Sequence, residues 1–145
     1  MNVQSILARK GSDVATITQQ ASLSDAAAKL RDHRVGALVV SADGRRIEGI
    51  ISERDVVRAL AAHGSSALGR TTASAMSADV VTCAADDSVE ELMVSMTERR
   101  IRHLPVVDGA GLLAGIVSIG DVVKARLGQL ETENQALFEY LHQGR

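Results

Sequence analysis

The chain has 145 residues, a net charge of −2, one cysteine and no tryptophan. That length gives one ordinary domain or two very small ones, and a hydrophobic content of 46% rules out a disordered chain. The near-neutral charge lacks the basic excess that double-stranded nucleic acid demands. Single-strand binders stack bases on aromatic rings, and here the only two, Phe138 and Tyr140, lie in the last eight residues. No apolar run approaches the ~18 residues of a membrane span, so no membrane insertion is expected. Met1 to Ser5 shows no basic stretch before an apolar one, which argues against a signal peptide. Cys83 alone forms no internal disulfide, which fits a reducing compartment, with cytoplasm the expected location.

In chain order, Val3, Ile6 and Leu7 predict an N-terminal helix covering an apolar patch. A β-branched strand follows at 14–17, then a helix over about 23–34 with Leu23, Ala26, Ala27 and Leu30 at helical spacing. Strands are predicted at 36–41 and 46–52, joined by a turn at Asp43-Gly44. A helix starts after Ser52, and Ala61 to Ser66 reads as its end and a flexible loop. The same order then returns: a strand at 80–83, and a helix at 89–100 with Val89, Leu92, Met93 and Met96 on one face. Strands at 102–107 and 112–118 follow, with a turn at Asp108-Gly109 and a helix after Ser118.

The return is an internal repeat. Displaced by 66 residues, Val14-Ala15-Thr16-Ile17 falls on Val80-Val81-Thr82-Cys83, and Gly49-Ile50-Ile51-Ser52 falls on Gly115-Ile116-Val117-Ser118. No gap is needed between residues 14 and 58, whereas upstream the register shifts by about three residues at Lys10-Gly11-Ser12. The fold class is α/β (α+β): β-α-β-β-α twice, packed with pseudo-two-fold symmetry, plus an extended C-terminal helix. The expected organisation is a first repeat with its N-terminal helix at 1–62, a linker at 63–71, a second repeat at 72–127 and a helical extension at 128–145. About sixty residues leave little core, so the copies are expected to pack together, with two equivalent clefts at the seam.

Ser52-x-x-Asp55 and Ser118-x-x-Asp121 each follow a strand and open a helix. Spacing alone reads them as capping boxes, each worth ~1 kcal/mol. The same geometry offers free helix N–H groups to a phosphate and a carboxylate to sugar hydroxyls. Ser22-x-x-Asp25 and Ser88-x-x-Glu91 have the same form and read only as caps. Gly109-x-Gly111-x-x-Ala114 matches a dinucleotide fingerprint in letters, but a strand follows it instead of a helix, so its glycines belong to a hairpin turn. The four histidines show no metal-ligand spacing, and Cys83 reads as a small core hydrophobe with no motif making it a nucleophile.

The repeated Gly-h-h-Ser-x-x-Asp element, with Arg102-His103-Leu104-Pro105-Val106-Val107-Asp108, resembles the cystathionine-β-synthase (CBS) domain, here as a tandem pair forming one Bateman module. The resemblance covers residues 1 to about 127. It implies a regulatory binding module that senses an adenosine-containing nucleotide such as AMP, ATP or NAD(H), and no catalytic cofactor. Carried over, one cleft joins Ser52, Arg54 and Asp55 to Thr82, Cys83, Arg102 and His103. The other joins Ser118, Gly120 and Asp121 to Thr16, Ile17, Gly36 and Ala37. Arg102 and His103 stand where the first repeat has Gly36 and Ala37, so the clefts are unequal. With no ring in the repeats, an adenine is expected between Ile17, Ile51, Val81 and Val117. CBS pairs occur inside IMP dehydrogenase-like enzymes, but this chain is too short for a ~250-residue barrel as well. The resemblance also implies a homodimer.

Past the repeat, Val123, Leu127, Leu130, Asn134, Leu137 and Leu141 recur at four-three spacing, a short coiled-coil-like seam with one polar residue. It fits docking on the module's own helices, a second subunit or a target protein equally. A purely adaptor role with vestigial clefts is the alternative to nucleotide sensing.

Overall fold

The computed structural model describes residues 1–143, so the last two positions of the expected 128–145 extension lie outside the described residues. The elements are α1 (Val3–Lys10), β1 (Thr16–Ile17), α2 (Leu23–His33), β2 (Ala37–Val40), β3 (Gly49–Ser52), α3 (Glu53–His63), α4 (Thr72–Ala75), β4 (Cys83–Ala84), α5 (Val89–Arg99), β5 (His103–Val107), β6 (Leu113–Ser118) and α6 (Ile119–Gln143). The expected loop after α3 is a 3-10 segment, Gly64–Gly69, and the short α4 carries no hydrophobic period long enough to be read from sequence.

The two repeats form two three-stranded sheets of identical topology. β1 runs parallel to β2 and β2 antiparallel to β3, with Ala37 opposite Ser52; β4, β5 and β6 repeat this with His103 opposite Ser118. Both hairpin turns are held by their aspartates: Asp43 Oδ1 accepts from the N–H of Arg45 and Arg46, and Asp108 Oδ1 from those of Ala110 and Leu112. Ser22, Ser52 and Ser88 each cap the following helix by accepting the N–H three residues on. α2 and α5 end alike, on Arg34 and Arg100 in the left-handed region.

Each sheet packs its own helices into a separate aliphatic core. Ile17, Leu23, Leu30, Leu38, Val40, Ile51 and Val56 fill the first; Cys83, Leu92, Met96, Leu104, Val106, Val117 and Val122 fill the second. The helix that precedes each repeat docks on the other one. α1 inserts Val3, Ile6 and Leu7 into the second core, while Ala75 and Met76, at and just after the end of α4, pack on the first. Matching contacts tie these helices down: Asn2 bridges to Ser88, and Thr71 to Ser22. Leu7 lies against Gly115, and Met76 against Gly49. These pairs superpose the leading helices at an offset of 69 residues (Asn2 on Thr71, Leu7 on Met76), three more than the repeat offset of 66 (Gly49 on Gly115). The register shift at Lys10-Gly11-Ser12 is therefore real in three dimensions. Among the described residues, no helix is long and apolar enough to cross a membrane.

Candidate functional site

The first cleft lies where the start of α3 meets the corner between α5 and β5. β3 delivers Ser52 to its rim, and α3 continues with Glu53, Arg54, Asp55 and, one turn on, Arg58. The second repeat supplies Arg100, Ile101, Arg102 and His103; Gly36, Ala37, Ile50 and Ser77 complete the wall. The cavity measures about 240 Å³. Four arginines stand against two carboxylates, so the cleft favours an anion even though the chain as a whole is slightly acidic.

The cap organises the carboxylate. Asp55 Oδ2 accepts from the Ser52 N–H at 2.8 Å and the Ser52 hydroxyl at 3.1 Å, and the Asp55 N–H donates to Ser52 Oγ at 3.4 Å. Asp55 Oδ1 accepts no hydrogen bond among the described residues and stays available to hydroxyl donors. His103 is half-buried, with its ring lying over Gly36: a Cβ there would sit 3.0 Å from both Cε1 and Nε2. Burial pushes the imidazole below its ordinary pKa; Glu53 pulls it up, Lys10 down, Asp121 up and Arg102 down. The ring is therefore mainly neutral at neutral pH, able to donate a hydrogen bond without carrying a charge.

The second cleft is built differently. Asp121 Oδ2 accepts from the Ser118 N–H at 2.9 Å, and the Asp121 N–H donates to Ser118 Oγ at 3.1 Å, as in the first repeat. Here, however, the Lys10 ammonium also reaches Asp121 Oδ2, at 2.7 Å. Burial acts to raise the Asp121 carboxyl pKa, but Lys10 and the Ser118 hydrogen bonds outweigh it and hold the group below its ordinary value. The cavity beside it is smaller, about 140 Å³, and lies between α1 and α6.

Ser52, Arg54, Asp55, Arg102 and His103 come together as the sequence suggested. The rest of the expected grouping is corrected. Gly36 and Ala37 line the first cleft, not the second, because Ala37 pairs with Ser52 and places both beside α3 of their own repeat. Cys83 points into the second core, where burial, helped by Asp87, pushes its thiol pKa up to about 12; Thr82, preceding it, is exposed and lines neither cleft. Thr16 and Ile17 border a separate groove with Ser41 to Gly44. Gly120 leaves an open position, its nearest neighbour being its own repeat's Ser118 Oγ at 3.6 Å. Ile17, Ile51 and Val117 are core residues unavailable to a ligand; Ile50 and Ile101 are the aliphatic surfaces the cleft presents. Arg58, Arg100 and Ser77 were missed. Arg58 was findable, since a residue four beyond Arg54 shares its helix face. Among the described residues, no group of three His, Cys, Asp or Glu side chains could hold a metal.

A CBS domain family model matches residues 3–62 and 73–128. A solved CBS-domain-containing protein from Agrobacterium tumefaciens is 46% identical, aligns over 86% of this chain and 98% of its own, and superposes with a TM-score of 0.81. A CBS domain protein from Pyrobaculum aerophilum, solved in complex with AMP, is 27% identical over 91% of this chain and 99% of its own, with a TM-score of 0.77. A mitochondrial CBS domain-containing protein of Arabidopsis thaliana is 36% identical over 88% of this chain, which spans 63% of that relative's length. With two matched repeats, two sheets of one topology and the same capped Ser-x-x-Asp at the end of each, the chain belongs to the CBS-domain family as a tandem pair.

Proposed function

We propose that this CBS pair is a regulatory sensor that binds one adenosine mononucleotide of the AMP type in the first cleft. The observation that carries the reading is the convergence of Arg54, Arg58, Arg100 and Arg102 on the capped Ser52–Asp55 helix start. In this reading Asp55 Oδ1 accepts from the ribose hydroxyls. The Arg54 N–H at the α3 start and the arginines take the phosphate. Ile50 and Ile101 flank the adenine, whose edge is read by backbone groups near Ser77.

The role is binding rather than catalysis, and the signal is a population shift. Ser52 to Arg58 belong to one repeat and Arg100 to His103 to the other, so a ligand held by both favours the arrangement in which they close. A cytoplasmic setting is part of the same reading. Calorimetry with AMP, ATP and NAD(H) tests it: AMP binds, and Asp55→Asn abolishes the heat. No binding of any of them at millimolar concentration refutes it.

A second reading, an assembly device with vestigial clefts, is favoured by α6. Its seam does not dock on the module: Val122 and Ala125 face the core, while Val123, Leu127, Leu130, Leu137 and Leu141 stay exposed. Phe138 and Tyr140 beside them are 61% and 73% exposed. Pairing of this face with a second copy supports a homodimer. Leu130→Glu with Leu137→Glu then yields monomers in sedimentation without altering nucleotide binding; dimers that survive both substitutions refute the pairing.

A further inference from the structure

The two repeats carry the same Ser-x-x-Asp cap, yet the chain treats them differently, and the cause lies in the leading helices. At the offset of 69 residues, Leu7 to Lys10 correspond to Met76 to Asp79. After α4 the chain leaves the helix at Met76 and runs extended. Ser77 then pairs with Ile50 in both directions: the Ser77 N–H donates to the Ile50 carbonyl and the Ile50 N–H to the Ser77 carbonyl, each at 2.9 Å. α1 instead stays helical for eight residues and ends only at Gly11, which takes a φ of 91° and donates its N–H to the Leu7 carbonyl at 2.8 Å. No extended segment is then left to lie along β6.

The extra turn drops Lys10 onto the second cleft. Its ammonium donates to the Ile116 carbonyl at 3.0 Å and to Asp121 Oδ2 at 2.7 Å. Ile116 is the counterpart of Ile50, whose carbonyl is bonded by the Ser77 N–H, so a side chain here does what backbone does in the first repeat. Asp121 is the counterpart of Asp55, which forms no ion pair among the described residues. Ile119 and Gly120 stand where the first cleft has Glu53 and Arg54, and on the α1 side of Asp121 a separate small cavity is lined by Ser5, Ile6 and Arg9. The ammonium is not sealed in. Lys10 and Asp121 side chains are 33% and 25% exposed, so the pair can open without unpacking a core.

We propose that Lys10 decides which cleft takes the ligand: its ammonium pairs with the Asp121 carboxylate beside the sugar-binding position of the second cleft, and a nucleotide is confined to the first. The proposal rests on the nucleotide-sensing reading above. A ribose entering at Asp55 meets a carboxylate bonded only by its own cap, whereas one entering at Asp121 meets a carboxylate whose Oδ2 is already paired with the Lys10 ammonium, which competes with the sugar hydroxyls for its charge.

Calorimetry with AMP on the full chain tests this. The wild type binds one equivalent, which Asp55→Asn removes. Lys10→Met, which keeps the aliphatic stem, binds two equivalents, and adding Asp121→Asn to it restores one. Carbon-detected NMR of the Asp121 carboxyl gives a ligand-free readout: its pKa rises in Lys10→Met. Two equivalents in the wild type, one equivalent in Lys10→Met, or an Asp121 titration unmoved by that substitution each overturn the gate while leaving the nucleotide reading intact. No AMP binding to any variant overturns the nucleotide reading, and the gate with it.

Discussion

The sharpest test of the packing around the site is a pair of equivalent substitutions, Gly49→Ala and Gly115→Ala, at the first position of β3 and the third of β6. A methyl at Gly49 would lie 2.6 Å from Met76 Sδ and 2.9 Å from the Ser77 carbonyl oxygen. At Gly115 it would lie 2.8 and 3.1 Å from the two Leu7 methyls. A leucine tip swings away cheaply, but the Ser77 carbonyl is backbone held by the Ile50 N–H at 2.9 Å. Overpacking of a tight site costs about 1–3 kcal/mol, and losing the two reciprocal Ile50–Ser77 hydrogen bonds adds about 1 kcal/mol each. Replacing glycine within a strand returns about 0.5–1 kcal/mol. The expected losses are therefore about 2–4.5 kcal/mol for Gly49→Ala and about 1 kcal/mol for Gly115→Ala. At roughly 4 °C per kcal/mol for a chain of this size, Tm falls by about 8–18 °C and about 4 °C. Urea unfolding followed by far-UV circular dichroism, with the m-value checked for constancy, measures both. Because Ser77 also lines the first cleft, Gly49→Ala weakens AMP binding and Gly115→Ala does not. A Gly49→Ala protein as stable as wild type, or more stable than Gly115→Ala, refutes the reasoning.

The repeat supplies internal controls for the other expectations. Arg34 and Arg100 both sit in the left-handed region, at φ 54° and 55°, which costs a non-glycine residue roughly 1–2 kcal/mol. Arg34→Gly and Arg100→Gly therefore leave Tm unchanged or slightly raised, while only Arg100→Gly lowers AMP affinity, by about tenfold if one phosphate contact of ~1.4 kcal/mol is lost. Cys83, its thiol pKa pushed up to about 12 by burial and by Asp87, reacts with a disulfide reagent only after unfolding; a fast native-state reaction contradicts its place in the core. His103 has a folded pKa held below its ordinary value, first by burial, so the unfolded chain binds more protons and stability falls as pH drops below about 6.5 toward the folded pKa. A phosphate beside the ring favours its charged form, so AMP raises the imidazole pKa in proton NMR; an unmoved titration contradicts the contact. Asp121, held low by Lys10 and Ser118 against the opposing effect of burial, contributes stability that is present above about pH 3.9 and lost as pH falls through its folded pKa. In Lys10→Met the folded pKa moves up, so this group's acid-dependent loss of stability becomes smaller, as acid unfolding curves measure.

Much of this architecture was legible because it depends on local chemistry. Ser22, Ser52 and Ser88 cap helices as their spacing predicts, and the hairpin strands β2, β3, β5 and β6 fall inside the predicted stretches, whereas β4, Cys83–Ala84, starts only at the last residue of the predicted 80–83. Ser52, Asp55, Arg102 and His103 were assigned to one cleft through family likeness, and they meet there. The errors arise where tertiary placement decides. A strand turns alternate side chains to opposite faces, so choosing Ile51 rather than Ile50 as a ligand wall put a core residue in the cleft; the buried–exposed alternation of β3 assigns them the other way round. Gly36 and Ala37 were sent across the seam by analogy with Arg102 and His103, but hydrogen bonding to Ser52 holds them beside α3 of their own repeat. Arg100 ends a helix, a place its charge alone suits. Only its left-handed conformation and the neighbouring repeat turn it into part of the wall.

The asymmetry of the pair was half visible. A three-residue shift at Lys10-Gly11-Ser12 can be read by sliding the chain along itself, but an alignment offset has no chemical meaning until the helices are placed. Placement converts it into one added turn of α1, and that turn carries a cation from solvent to Asp121. In the first repeat the corresponding stretch is extended and its Ser77 satisfies Ile50 with backbone. Two repeats descended from one pattern can therefore keep identical capping motifs while only one keeps an open cleft. Motif intactness is then a poor guide to occupancy: Ser118 and Asp121 are as well formed as Ser52 and Asp55, and what separates them lies more than a hundred residues away in the chain, at Lys10.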